Sequence, residues 1–122
     1  MRKETGIALF LGILAAPQGA AVVLDLADID LPKGIVIEEY AHVPNARSLA
    51  LGDDGVVYVG NRTGDSVYAV VPSGDANPQV LKIISGLEMP NGIAYYNGDL
   101  FVAEVKRILR YRDVGNLSLI HI

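Results

Sequence analysis

Short runs of apolar or alternating residues, separated by glycine, asparagine, aspartate and proline, make up the chain from residue 35 onward. None of them repeats apolar residues at the three- and four-residue spacing of an amphipathic helix, and their Val, Ile, Leu and Tyr content is typical of β-strands. The pattern therefore predicts an all-β protein with little helix. The predicted strands are 35–40, 47–51, 56–60, 66–71, 79–84, 91–95, 100–104 and 107–112.

Four polar segments between these strands have the composition of turns. They are GDDG at 52–55, NRTGD at 61–65, VPSGDANP at 71–78 and YNGD at 96–99. Asn-Gly and Asp-Gly pairs accept the positive φ angles that tight hairpins require. We therefore expect consecutive strands to pair antiparallel.

The strand pattern repeats. Ala50 aligns with Ala94, 44 residues later, and Tyr58 aligns with Phe101, 43 residues later. A period in the forties built from four antiparallel strands is typical of a β-propeller blade. A β-sandwich also has many short strands, but it does not repeat its apolar and turn residues in register.

The repeat divides residues 35–116 into parts of an incomplete propeller. We predict a closing strand at 35–40, a blade at 47–84 and a partial blade at 91–112. About two blades cannot close a ring of four to eight. The chain is therefore expected to be the N-terminal part of a longer protein.

The first 20 residues have the layout of a secretory signal peptide. Arg2 and Lys3 precede the apolar run 7–16, and small residues follow at 19–21. We predict a signal-peptide helix, cleavage after Ala20 or Ala21, a linker at 21–34, and a periplasmic or secreted protein without membrane attachment. The alternative is a buried or retained N-terminal helix.

Residues 117–122, LSLIHI, match the translation of a transposase adapter used in sequencing libraries. We expect native sequence to end near Asn116. The alternative is a natural short strand, and in either case His121 has no visible acid or serine partner. The other histidine, His42, lies in the segment AHVPNA and is expected at the surface.

The composition argues against several classes of function. The net charge of −4 gives no reason to expect nucleic-acid binding. The absence of cysteine excludes disulfides, thiolate metal sites and a cysteine nucleophile.

Residues 31–113 resemble a known family. The segments ARSLALG, YVG followed by Arg62, and MPNGIA with LFVAEVKRILRY are similar to the N-terminal region of sorbosone and soluble glucose dehydrogenases. This family comprises exported quinoprotein sugar dehydrogenases. The resemblance implies a six-bladed propeller that holds pyrroloquinoline quinone (PQQ) and calcium above its channel.

The same resemblance implies a reaction. Such an enzyme oxidises a sugar or sugar aldehyde by passing hydride to PQQ, a histidine acts as base, and an external electron acceptor takes the electrons. The family's catalytic histidine lies in a later His-Gly stretch that does not occur before Asn116. We therefore expect no catalytic residue and no metal ligand in these residues, and no activity from them alone.

Strand ends still suggest a functional edge. In an antiparallel blade, the start of the first strand and the end of the second lie at the same edge. The polar residues predicted to face cofactor or substrate there are Arg47, Asn61, Arg62, Asn91 and Glu104. The alternative is that these side chains satisfy loop backbone groups or form surface ion pairs.

Two other functions remain open from the sequence. One is a non-catalytic propeller that binds or scaffolds partners. The other is a lactonase-like propeller hydrolase, which requires metal-ligating acids and asparagines around the channel.

Overall fold

The structure, a computed structural model, describes residues 25–116, so the predicted signal peptide (1–20) and adapter-derived tail (117–122) lie outside the described residues. Its contacts divide the chain into two units at Glu38 and Glu39. The first unit contains a 3-10 turn at Leu26–Asp28, capped by the Asp25 carboxylate, which accepts a hydrogen bond from the Ala27 N–H (3.0 Å).

The second unit contains seven strands and no α-helix among the described residues, which confirms the all-β prediction. The strands are β1 (Ala46–Leu51), β2 (Val57–Asn61), β3 (Val67–Ser73), β4 (Ala76–Ile84), β5 (Gly92–Tyr96), β6 (Asp99–Ala103) and β7 (Ile108–Tyr111). Consecutive strands pair antiparallel in two sheets, in the orders β1-β2-β3-β4 and β5-β6-β7.

The hairpin between β5 and β6 forms as its sequence predicts. Tyr96 pairs with Asp99, and the two residues between them, Asn97 and Gly98, have φ angles of 54° and 89°. Asparagine and glycine tolerate this left-handed region better than other residues. The predicted turn at 52–55 also forms, as a 3-10 turn at Asp53–Gly55.

Residues 35–40 form no strand within the described residues, where no segment pairs with them, and their predicted pairing with a last blade stays a prediction. One turn prediction needs correction. Residues 71–78 were predicted as one long turn, but β3 and β4 extend into it and only Gly74 and Asp75 connect them. Pro78 is accommodated because β4 is an edge strand. Proline lacks a backbone N–H, and on the open side of an edge strand this group has no partner strand to bond.

Each sheet has two faces, which the strand register defines. In the first sheet, Ala50, Tyr58 and Ala69 align on one face, here called the front, and Leu49, Val59 and Tyr68 align on the back. In the second sheet, the front carries Ala94, Phe101 and Arg110, and the back carries Ile93, Val102 and Leu109.

The front of the first sheet packs on the back of the second sheet and forms the core. Tyr58 and Val67 from the first sheet and Leu100 and Val102 from the second are completely buried. Full burial of such a side chain contributes about 1.5–3 kcal/mol to folding. The Tyr58 ring stacks on Tyr95 with 5.4 Å between ring centroids and 13° between ring planes.

At Gly60 the backbone of β2 lies close to the residues that lead into β5. A Cβ atom added there would lie 2.6 Å from the Pro90 carbonyl oxygen and 2.7 Å from the Asn91 carbonyl oxygen. The Asn61 N–H donates a hydrogen bond to the Pro90 carbonyl across the same gap (3.0 Å). Glycine at position 60 therefore sets the distance between the sheets.

We expect Gly60→Ala to destabilise the fold by about 1–3 kcal/mol, because the methyl group would press on backbone atoms that cannot rotate away. Gly74→Ala is the control, since its Cβ would meet no atom within 4 Å and only its φ of +61° opposes the change. Urea unfolding followed by circular dichroism measures both. Equal loss of stability in the two variants would contradict this role for Gly60.

Burial also changes the acidity of Tyr58. Removal from water, followed by the influence of Tyr95 and Asp53, raises the pKa of Tyr58 from 10.0 to about 12. Its hydroxyl donates a hydrogen bond to the Val114 carbonyl (3.3 Å). The side chain of Tyr58 is therefore neutral in the folded core at neutral pH.

Because the pKa of Tyr58 is higher in the folded protein than in the unfolded chain, the neutral side chain contributes its full stabilisation below pH 10. This contribution is lost as the pH rises towards 12 and the phenol ionises. We expect the free energy of unfolding to fall by about 1–2 kcal/mol over this interval. Tyr58→Phe should show a weaker decline, whereas the exposed-ring control Tyr96→Phe should match the wild type. Thermal melts at stepped alkaline pH measure the difference, and an unchanged slope in Tyr58→Phe would contradict it.

Candidate functional site

The predicted site residues lie at one edge of the two sheets, where β1 and β5 begin and β2 and β6 end. Ala46 pairs with Asn61, so Arg62 follows opposite Asn45, and Arg47 is the next residue of β1. Gly92 pairs with Ala103, which places Asn91 opposite Glu104 along the second edge. The hydrogen bond from Asn61 to Pro90 joins the two edges.

Asn61 has a structural role at this edge. The residue is 2% exposed, and its side-chain amide nitrogen donates to the Pro44 carbonyl (3.1 Å). The amide therefore satisfies the segment that leads into β1. This contact matches the structural alternative stated for the site residues and leaves the Asn61 amide N–H engaged.

Asn91 connects β1 and β5, the first strands of the two sheets. Its side-chain oxygen accepts a hydrogen bond from the Ser48 hydroxyl (3.2 Å), which links β5 to β1. Sequence analysis missed Ser48, because a single serine in a strand carries no local signal. The bond spans 43 residues, so only the repeat in the sequence could have suggested that these positions meet.

Glu104 is the most enclosed acidic group of the edge. Its side chain is 4% exposed, and its two carboxylate oxygens accept hydrogen bonds from Arg107 Nε (2.5 Å) and from the Glu88 backbone N–H (2.7 Å). These bonds, that from Arg107 first, lower the pKa of Glu104. A carboxylate held in its charged form in this way is a weak proton acceptor.

A polar groove of about 520 Å³ opens beside Glu104. Sequence analysis did not identify it, because two separate loops form it. Its lining residues are Gly86, Leu87, Glu88, Glu104, Lys106 and Arg107.

The two predicted arginines differ from these residues, since Arg47 and Arg62 are exposed. The Arg62 backbone N–H donates a hydrogen bond to the Asn45 carbonyl (3.3 Å). The side chains therefore offer two positive charges at the edge. Guanidinium groups are suited to carboxylate or phosphate ligands.

The edge does not fit a calcium site. Within residues 25–116, no group of three or more histidines or acidic residues is placed to hold a metal ion. No buried side-chain nitrogen or oxygen in this range lacks a hydrogen-bond partner. The Asn91 side-chain oxygen and both Glu104 carboxylate oxygens already accept hydrogen bonds, so they are not free to join an oxygen cluster of the kind calcium requires.

His42 lies in the segment that precedes β1. Its side chain is 87% exposed, and its Nδ1 lies 4.0 Å from a Glu39 carboxylate oxygen. This agrees with the predicted surface position. His121 lies outside the described residues.

Comparisons with known proteins assign no family. A scan against protein-family models finds no match, and searches of curated proteins and of solved structures find none either. Among the residues that the structure describes, no helix is long and apolar enough to span a membrane.

Because its pKa is lowered, Glu104 stabilises the fold above its ordinary value of 4.5, and this contribution is lost as the pH falls through the folded-state pKa. We expect Glu104→Gln to show a smaller loss of melting temperature between pH 5 and pH 3 than the wild type. Glu88→Gln, exposed on the same groove, should retain the wild-type slope. Calorimetric melts at stepped pH measure this, and parallel curves for all three proteins would contradict it.

Proposed function

We propose that residues 39–116 form two consecutive blades of a β-propeller, and that this propeller belongs to an exported quinoprotein sugar dehydrogenase. In this proposal the described residues supply scaffold and part of the rim around the channel. The base that removes the substrate proton comes from elsewhere in the enzyme.

The distribution of apolar residues on the outer sheet faces is the observation that carries the propeller part of the proposal. A two-sheet sandwich buries its inner faces and presents polar residues outside. Here the outer face of the first sheet exposes Leu49 (66%) and Leu51 (70%), and the outer face of the second exposes Ile108 (73%). Apolar residues on both faces of a sheet indicate a stack in which each sheet has two neighbours.

The repeat gives independent support. Tyr58 and Phe101, which align in the sequence, lie at corresponding positions on the fronts of their sheets, and so do Ala50 and Ala94. This correspondence supports the proposal that the second sheet repeats the first. Sheets related in this way are the building units of a propeller.

The quinoprotein part rests on the sequence resemblance and on the charge of the edge. Arg47 and Arg62 would bind the acidic groups of PQQ, which accepts hydride from the sugar when it is bound. Glu104 is a poor candidate for the base because its pKa is lowered. Calcium would require ligands from other parts of the enzyme.

A non-catalytic propeller is the second candidate. It is favoured by the internal hydrogen bonds of Asn61 and Glu104, which leave the described edge without an evident catalytic group. A lactonase-like hydrolase has less support, because the Asn91 side-chain oxygen and the Glu104 carboxylate, which could ligate its metal, already accept hydrogen bonds.

Sequencing of the source DNA across the codon for Asn116 tests the proposal. We expect the reading frame to continue into further units of about 40 residues and a His-Gly stretch. In the enzyme so recovered, Arg47→Ala and Arg62→Ala should each raise the Kd for PQQ about 10-fold or more. Arg112→Ala, exposed at the end of β7, is the control.

A frame that stops without a His-Gly stretch would contradict the dehydrogenase. Further blades without that stretch would instead favour the non-catalytic propeller. Unchanged PQQ affinity in both arginine variants would remove these residues from the cofactor site.

A further inference from the structure

The polar groove beside Glu104 lies entirely in loops. Its walls come from residues 86–88, which precede β5, and from residues 104–107, which join β6 to β7. No residue that lines it belongs to a strand, so a sheet packed on either face of the second sheet would not fill it. The groove is therefore a feature of the edge, where the candidate site residues lie.

Glu104 performs a structural task that a neutral residue performs in the first sheet. It follows β6 as Asn61 follows β2, and each side chain bonds the backbone of the segment that leads into its own sheet. Asn61 donates to the Pro44 carbonyl, and Glu104 accepts from the N–H of Glu88, 44 residues after Pro44. A neutral amide is sufficient for this task, whereas a carboxylate as enclosed as that of Glu104 needs a positive partner.

Arg107 is that partner, and only part of its guanidinium is used. Its Nε donates to the Glu104 carboxylate, which fixes the guanidinium at the groove wall. Among the described residues, no hydrogen bond engages its two terminal nitrogens or the side chains of Lys106 and Glu88, which line the same groove. The groove therefore presents several donors and one acidic acceptor to a ligand.

Met89 is a second departure from the first sheet that opposes stability. Its φ angle is 49°, and Asn45, at the equivalent position before β1, has a φ angle of 54°. Both sheets thus use the left-handed backbone here, but asparagine adopts it more readily than methionine does. Met89 is 48% exposed, so its side chain is not required to fill the core. Contact with a ligand explains why an apolar side chain is kept at a strained position next to a polar groove.

The groove wall before β5 is fixed without a ligand. The Gly86 N–H donates to Asp65 Oδ2 (3.2 Å), and the Leu87 N–H donates to the Asp65 carbonyl (3.0 Å). The next N–H, that of Glu88, donates to Glu104 Oε2 (2.7 Å). Because three successive backbone groups are engaged, a ligand would not have to order this wall, which lowers the entropic cost of binding.

These groups match the chemistry of a sugar ring. A hydroxyl both donates and accepts hydrogen bonds, which suits a groove where Arg107 and Lys106 are donors and Glu88 is an acceptor. An anion would be repelled by Glu88, and a cation by the two basic groups. The C–H face of a sugar ring is apolar and suits the flexible side chain of Met89. We propose that the groove and Met89 bind one sugar unit of a carbohydrate.

The inference deepens the proposed function and, for its place in the reaction, rests on it. In the proposed dehydrogenase the base comes from elsewhere in the enzyme, so the sugar unit in this groove is not the unit that is oxidised. The groove would hold a second, non-reacting unit of an oligosaccharide. This binding requires no PQQ and can be measured with the present chain.

NMR titration of the isotope-labelled full chain with maltose, in the absence of PQQ, tests the proposal. We expect saturable shifts of the Glu88 amide signal and of the Arg107 Nε–H signal. The amide of Tyr96, in the hairpin at the opposite edge, should not shift. Sodium phosphate, added in a separate titration, should produce no saturable shift at any of these groups.

Met89→Asn places the residue of the first sheet at the equivalent position and separates binding from stability. It should raise the melting temperature, because asparagine tolerates the positive φ angle, and yet raise the Kd for maltose about 5-fold. Lys106→Gln should also raise this Kd about 5-fold, through loss of a charged donor. The matched controls are Asp54→Asn, at a φ angle of 57° in an exposed turn, and Arg112→Gln, exposed after β7. Both should retain the wild-type Kd.

Three outcomes would overturn the proposal. They are the absence of a saturable maltose shift at the groove, saturable binding of phosphate in place of maltose, and a wild-type Kd for maltose in both Met89→Asn and Lys106→Gln. None of these measurements involves PQQ, so failure here and failure of the dehydrogenase proposal can be told apart.

Discussion

The contact of Tyr58 with Tyr95 is the interaction on which the rest of the structure depends. It stacks the first sheet on the second and draws the hydroxyl of Tyr58 to the Val114 carbonyl, so one buried ring joins β2, β5 and the segment after β7. Gly60 permits the close approach that this stacking requires. Because two sheets of this size have little surface to bury, their stability depends strongly on this contact.

The packing of the two sheets also determines which polar side chains at the edge form internal hydrogen bonds. The hydrogen bonds from Asn61 to Pro44 and from Ser48 to Asn91 hold the strand ends that the sheet contact brings together. The edge is therefore largely a connection between sheets, with Arg47 and Arg62 as its exposed cations. A ligand at this edge would be held by charge on a rigid frame rather than by enclosure.

Local features of the sequence predicted most of the fold. Asn97 and Gly98 specify their hairpin within two residues, and alternating burial marks strands such as β1 and β6. Residues 35–40 form no strand among the described residues, because a strand requires a partner strand, which an apolar run alone does not supply. The extent of β4 was underestimated because Pro78 reads as a strand breaker unless the strand is known to be at an edge.

The site was less predictable than the fold. The register placed all five polar residues at one edge, but their hydrogen-bond partners could not be read from the pattern. Asn61 reaches Pro44 across 17 residues, and the Glu104 carboxylate takes a backbone N–H from the loop before β5. Such contacts form only when the two sheets pack together, so they cannot be predicted from the sequence of any one strand.

Native-state hydrogen exchange is the most direct measurement of the central claim that one buried contact unites the two sheets. The amides of Tyr58 in β2 and Val102 in β6 report on the first and second sheet. The account expects them to exchange with the same opening free energy and the same dependence on denaturant, since the sheets open together. Exchange of Val102 through a distinctly easier opening, with Tyr58 still protected, would contradict it.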